Sequence, residues 1–210
     1  MKTIMKTTCI VLIILALAAC QSKNEKSNES ADGGNVLKAE NEEFSAYINN
    51  FKQKNLPLTI KGCMEDITGL AEFDGEKYKT FNEDFSFSYG QIPTNGEYIA
   101  LITLGAADCF LPILTTYKLN GQIIDKKTIA IGYCGMDCGY YCEEFMSISD
   151  DYKIYTSDTI STYKCDDQGN EIPGTYEYYL IFKEGKLLDD GKIQLSEEQK
   201  KPLEGRIEHP

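Results

Sequence analysis

Ile113-Leu114-Thr115-Thr116-Tyr117-Lys118-Leu119-Asn120-Gly121-Gln122-Ile123-Ile124-Asp125 is an apolar, β-branched run, a two-residue turn and a second apolar run. Asn-Gly supplies the two positive-φ positions of a tight hairpin, so the stretch reads as paired antiparallel strands. Upstream, Tyr98-Ile99-Ala100-Leu101-Ile102-Thr103-Leu104 is an unbroken apolar run of strand length and reads as a buried strand. Downstream, further strands are expected over residues 127–132, 144–149, 153–156, 159–164, 175–183 and 186–195. Asp150-Asp151, Asp166-Asp167-Gln168-Gly169 and Glu184-Gly185 supply the turns between them. Short strands joined by turns, with no helices between, predict an antiparallel meander and not βαβ units.

Working outward, residues 41–54 carry Phe44, Tyr47, Ile48 and Phe51 at i, i+3, i+4 and i+7, one face of an amphipathic helix packed on the body. Asn55-Leu56-Pro57 ends it. Residues 58–61 suggest a short strand and residues 64–71 a short helix. Ser196-Glu197-Glu198-Gln199 has the form of a capping box opening a C-terminal turn, which Pro202 stops. Gly75, Gly121 and Gly169 lie 46 and 48 residues apart, near a propeller-blade length, but three echoes are too few to close a propeller. The expected body is therefore one mainly β domain over residues 41–203, followed by a tail at 204–210. Its antiparallel meander forms a curled sheet, an incomplete barrel or a partial propeller, with one N-terminal amphipathic helix.

Residues 1–20 begin with Lys2 and Lys6, continue through an apolar run from Ile10 to Ala19 and end Leu17-Ala18-Ala19-Cys20. About ten apolar residues are too few to span a bilayer, which takes about 20. Basic start, short apolar core and small residues before the cut are the marks of an export signal. The final tetrapeptide resembles the lipobox of bacterial lipoprotein signal peptides. That resemblance implies removal of residues 1–19, a diacylglyceryl thioether on Cys20 and acylation, by palmitate or a similar chain, of the new N-terminus. Several chains on one residue would make a durable membrane anchor. Gln21, in place of Asp, points within the same resemblance to the outer membrane, on its periplasmic or surface face. With its Lys/Asn/Tyr-rich make-up, the chain looks like cell-envelope lipoproteins of Bacteroidota. Residues 20–40, from Cys20 through a polar Ser/Asn/Glu/Gly stretch, read as a flexible tether with a reach of about 25 Å.

The full chain has 210 residues, 33 acids and a net charge of −12. Removing residues 1–19 takes away Lys2 and Lys6 and no acid, so the charge moves to −14. Such a protein is repelled by phosphate backbones, which argues against nucleic acid, and it attracts basic proteins or cations. Arg206 is the only arginine and His209 the only histidine, two scarcities that argue against most polar catalysis. No Gly-x-Ser-x-Gly elbow, Cys/His nucleophile pair or P-loop is present, and no cofactor is implied.

Beyond Cys20, the exported chain would hold Cys63, Cys109, Cys134, Cys138, Cys142 and Cys165. Cys134, Cys138 and Cys142 are dense enough for a metal. However, their spacing of three intervening residues twice departs from the radical-SAM pattern, and an exported chain meets an oxidising compartment. Up to three disulfides are expected, with the pairing open; Cys109 and Cys165 should bond to the 134–142 cluster or to Cys63. Asp166, Asp167, Asn170 and Glu171 form an oxygen-rich loop that is a weak calcium candidate, since it lacks EF-hand spacing. Of 14 tyrosines, nine fall between Tyr133 and Tyr179. Tyr176 and Tyr178 share a strand face, and Tyr155 and Tyr163 on preceding strands extend the row, a surface on which a sugar could stack or a protein could dock. The expected function is a membrane-anchored, non-catalytic envelope module that binds a protein, in one version an acidic inhibitor or immunity-type protein facing a basic partner. The alternatives are a surface glycan-binding lipoprotein and a carboxylate-dependent hydrolase.

Overall fold

Tight turns and alternating burial build two antiparallel sheets and one short helix. The computed structural model describes residues 41–62, 67–73, 76–82, 84–135 and 137–206. The lipobox, the tether and Cys63 lie outside them. The helix α1 (Glu42–Ile48) starts at Asn41, whose side chain accepts from the Glu43 and Phe44 N–H groups. It is shorter than the periodicity suggests, because the Asn50 side chain donates to the Ala46 and Tyr47 carbonyls and closes the last turn.

β1 (Leu58–Lys61) belongs to one sheet, and β2 (Glu72–Phe73), β3 (Ser86–Ile92), β4 (Ile99–Gly105), β5 (Leu111–Tyr117) and β6 (Ile123–Thr128) make the other, in the order β2-β3-β4-β5-β6. β7 (Tyr140–Ile148), β8 (Lys153–Thr162), β9 (Glu177–Leu187) and β10 (Ile193–Leu195) join β1 in the order β1-β7-β8-β9-β10. β11 (Gln199–Pro202) returns to pair with the N-terminal half of β9, in line with β10 on its C-terminal half. The mainly β antiparallel meander with one N-terminal helix is thus the fold, arranged as two open sheets with no closed barrel.

The hairpin at Asn120-Gly121 joins β5 to β6 where the sequence puts it, but of the two turn residues only Gly121 has a positive φ, 92°, so the expected turn with both φ positive is not the one formed; the Lys118 N–H donates to the Gln122 carbonyl and the Gly121 N–H to the Lys118 carbonyl. Five expectations are corrected. Residues 127–132 are not a strand of their own, since Lys127 and Thr128 end β6 and residues 129–132 belong to no strand. Residues 153–156 and 159–164 are one continuous strand, β8, because Ser157 and Asp158 pair in register with both neighbours. Glu184-Gly185 is not a turn but lies inside β9: a Cβ on Gly185 would clash with the Gln194 carbonyl oxygen, so glycine is there for close strand approach. The chain turns instead at Leu188–Gly191, where the Gly191 N–H donates to the Leu188 carbonyl. Residues 196–199 open no helical turn; Gln199 begins β11 on the free edge of β9. β3 was not legible, and residues 67–71 are not helical.

β4 explains the layering. Ile99 and Leu101 face α1 and an aromatic cluster of Phe44, Tyr47, Phe51, Phe73, Tyr78, Phe81 and Tyr117. Ala100 and Ile102 face the other way, into a second core shared with Leu58, Ile60, Met146, Ile148, Ile154 and Ile193 of the opposite sheet. The middle sheet is therefore covered on both sides, which is why residues 98–104 are apolar throughout. Asp125 accepts from the Ile193 N–H, and the Thr116 hydroxyl donates to the Gly191 carbonyl, tying the sheets at one edge. Outer edge strands carry Lys126, Lys127, Lys200 and Lys201, charges that discourage edge-to-edge pairing.

Candidate functional site

The six-stranded sheet has its inner face on the core; its outer face is where the predicted tyrosines lie. Alternation sends the even positions of β7 and β8 inward (Met146, Ile148, Ile154, Ile160) and the odd positions outward. Register then sets two rows across β7, β8 and β9: Phe145–Ser157–Phe182 and Tyr141–Ser161–Tyr178. Between them run Glu143, Thr159 and Leu180. Tyr155 lies diagonally beside the first row, 6.0 Å from the Phe145 ring and 6.1 Å from the Phe182 ring. These rings are half-buried and belong to neither core cluster, so the face stays open among the described residues. Ser157 and Ser161 are nonetheless buried, each between two rings. Lys61 reaches over the Phe145 ring, and β11 places Lys201 beside Leu180.

The four predicted tyrosines share this side but do not form one row. Tyr155 is six residues along β8 from Ser161, the partner of Tyr178, which is about 20 Å of strand. Tyr163 packs on Gly139, and the Arg206 guanidinium stacks on Tyr176, 4.6 Å from the ring centre, while also pairing with Glu171. Phe145, Phe182 and Tyr141 went unnoticed in the sequence, although each holds an outward position in an alternating strand.

The loop between β6 and β7 is fixed by two disulfides, Cys134–Cys142 and Cys138–Cys165. Cys109 is disulfide-bonded as well, to a partner outside the described residues. Cys165 therefore joins the 134–142 cluster as expected. The sulfurs of Cys134 and Cys142 lie within 4.8 Å of an Asp158 carboxylate oxygen, but bonded to each other they offer no thiolate to a metal. The calcium candidate is already satisfied: Asp166 accepts from the Gln168 and Asn170 backbone and from the Asn170 amide, and Glu171 is committed to Arg206.

A different pair of acids meets on the inner face. Glu144 of β7 and Asp158 of β8 are directly opposed, with only 5% and 0% of their surface exposed. The Tyr133 N–H donates to Asp158 Oδ2 at 2.8 Å. Glu144 Oε1, Asp158 Oδ1 and the hydroxyl of Thr156, two residues from Asp158 on the same face, have no hydrogen-bond partner. Burial pushes the Glu144 carboxyl up to about 7, with the Asp158 charge adding to it. Burial likewise pushes Asp158 up to about 6, opposed by the Tyr133 N–H and by Lys183, with the Glu198 charge adding. Lys183 is itself paired with Glu198 at 3.0 Å, and the Tyr133 hydroxyl donates to Glu198 at 2.8 Å. A separate cleft of about 440 Å³, lined by Lys127, Glu184, Lys186 and Gln194, holds only one acid and none of the four tyrosines. No family of known proteins, no curated protein and no solved structure matches the chain.

Proposed function

We propose that the protein is a lipid-anchored, non-catalytic envelope protein that binds another protein through the open face of its six-stranded sheet. The observation that carries this reading is the double row of rings, Phe145–Phe182 and Tyr141–Tyr178, with Tyr155 and Leu180 between and beside them. Contiguous exposed apolar surface rimmed by charge is characteristic of protein interfaces. Small ligands are instead held in concave pockets. Aromatic residues are also the side chains that dominate binding energy when they are desolvated at the centre of an interface. Lys61, Glu143, Glu184 and Lys201 supply the polar rim. A basic partner fits the net charge of −12, which would speed encounter at low salt. Export and lipidation rest on residues 1–20, and the two disulfides agree with an oxidising compartment.

The test compares the mature chain with a Phe145→Ser/Phe182→Ser variant in pull-downs from envelope extract, with a photocrosslinker at position 155. The expected result is a defined basic protein, crosslinked from that position, bound more tightly at low salt and lost with the variant. Retention of the same partner by the variant refutes the interface. Binding on a glycan array that is abolished by Tyr176→Ala/Tyr178→Ala replaces the protein reading with the glycan one. Labelled palmitate should enter the wild type and not Cys20→Ser.

A further inference from the structure

We propose that Glu144, Asp158 and Thr156 form a binding site for one hard divalent cation of the calcium type, set on the inner face of the six-stranded sheet and separate from the open face. Glu144 and Asp158 are a directly opposed cross-strand pair, whose Cβ atoms in such a pair are about 5 Å apart. Thr156 is the next inward residue on β8, about 7 Å along the strand. Three oxygens on this small patch, Glu144 Oε1, Asp158 Oδ1 and Thr156 Oγ1, have no partner although their residues are 5%, 0% and 0% exposed. The hydroxyl is an observation apart from the acids: it could donate to a neighbouring carboxylate, yet it too is left without a bond. Buried polar atoms are almost always satisfied, so three together call for a species that accepts lone pairs.

The donor chemistry selects its class. All three ligands are oxygens, two of them anionic, and no imidazole or thiolate is available beside them. Oxygen donors in irregular geometry suit calcium, which tolerates variable coordination completed by water, better than magnesium or zinc. The Tyr133 N–H fixes Asp158 by its other oxygen and leaves Oδ1 free, the kind of outer contact that orients a metal ligand. Lys183, paired with Glu198, offsets the Asp158 charge only in part.

The experiment uses the full mature chain with disulfides intact, stripped with EDTA and titrated with CaCl2 at pH 7.5, by calorimetry and by thermal unfolding. The expected result is one calcium per chain and a raised Tm. Binding should weaken at least tenfold in Glu144→Gln and measurably in Thr156→Val, and persist in Asp166→Asn/Asp167→Asn. Both site variants preserve shape, and far-UV circular dichroism with a free-thiol count verifies their folding. Should Glu144→Gln fail to fold, Thr156→Val alone decides. Absence of any calcium effect on the wild type, stability that responds to pH but not to calcium, or binding lost only in the Asp166/Asp167 variant would overturn the proposal. Failure here leaves the open-face interface untouched, since none of these residues lies on it.

Discussion

Tyr47 and Tyr117 sit in the same aromatic cluster with ring centres 6.2 Å apart, and removing one oxygen from each should move stability in opposite directions. Tyr47 is fully buried, 0% exposed, and its hydroxyl has the Tyr117 hydroxyl as a polar neighbour but makes no well-formed hydrogen bond. Burial pushes its ionisation far above the usual tyrosine range, so at any ordinary pH it is a neutral, unsatisfied hydroxyl. Tyr117 is 1% exposed, and its hydroxyl donates to the Phe81 carbonyl at 2.9 Å. An unpaired buried hydroxyl costs about 1–3 kcal/mol, whereas a buried hydrogen bond contributes about 1 kcal/mol and its loss leaves the acceptor unpaired. Tyr47→Phe keeps every ring contact with Phe51, Phe73 and Tyr78 and removes only the orphan. It should stabilise by about 1 kcal/mol. Tyr117→Phe should destabilise by about 1–2 kcal/mol, because the Phe81 carbonyl is stranded. Urea unfolding of both variants under non-reducing conditions, with unchanged m-values, measures the difference. If Tyr47→Phe destabilises by more than about 0.5 kcal/mol, its hydroxyl has a partner and the reasoning fails.

Four further outcomes follow from particular contacts. In EDTA, the acid pair's contribution to stability should fall as pH rises from about 4 to above 7, opposite in sign to that of Asp151, Asp166, Asp190 and Glu198, whose carboxyls are held below the usual range. Glu144 and Asp158 keep protons in the folded state that the unfolded chain, at 4.5 and 3.8, has released, so the benefit is complete below those values and lost through about 6 and 7. Glu144→Gln should flatten that slope by a few kcal/mol, and a slope that Gln leaves unchanged contradicts the assignment. Loss of Cys138–Cys165, which closes 27 residues, should cost about 3.5 kcal/mol, against about 2.5 kcal/mol for Cys134–Cys142, which closes 8; equal losses on denaturation would count against the chain-entropy account. Gly185→Ala should lower the Tm sharply, because its Cβ meets the Gln194 carbonyl and the rigid β9–β10 pairing cannot yield; hydrogen exchange of the Ser196 amide, which donates to the Glu184 carbonyl, reports it.

Much of this molecule follows from alternation. The β5–β6 hairpin follows from Asn120-Gly121, and the α1 face from Phe44, Tyr47 and Phe51, because turn chemistry and periodicity are local properties. The acid pair is not legible in the sequence, where the expected strand breaks between residues 156 and 159; once β8 is continuous, Cys142-Glu144-Met146-Ile148 and Ile154-Thr156-Asp158-Ile160 each place an acid on a mostly apolar face. What alternation could not supply was that these two positions are opposed, since that depends on register between strands. Gly185 misled for the opposite reason: a glycine beside Glu184 has the chemistry of a turn, and only the approach of Gln194 from the next strand makes it a strand residue.

Composition and pattern alone established a mainly β, strongly acidic chain with an N-terminal amphipathic helix and cysteines gathered between residues 134 and 165. Tertiary structure decided the stacking of two sheets, the cysteine pairing, and which face of β7–β8–β9 is covered and which is open. The physical reason is range. Backbone turns and side-chain period are fixed within a few residues, whereas burial of an orphan carboxylate or exposure of a ring is set by segments tens of residues away.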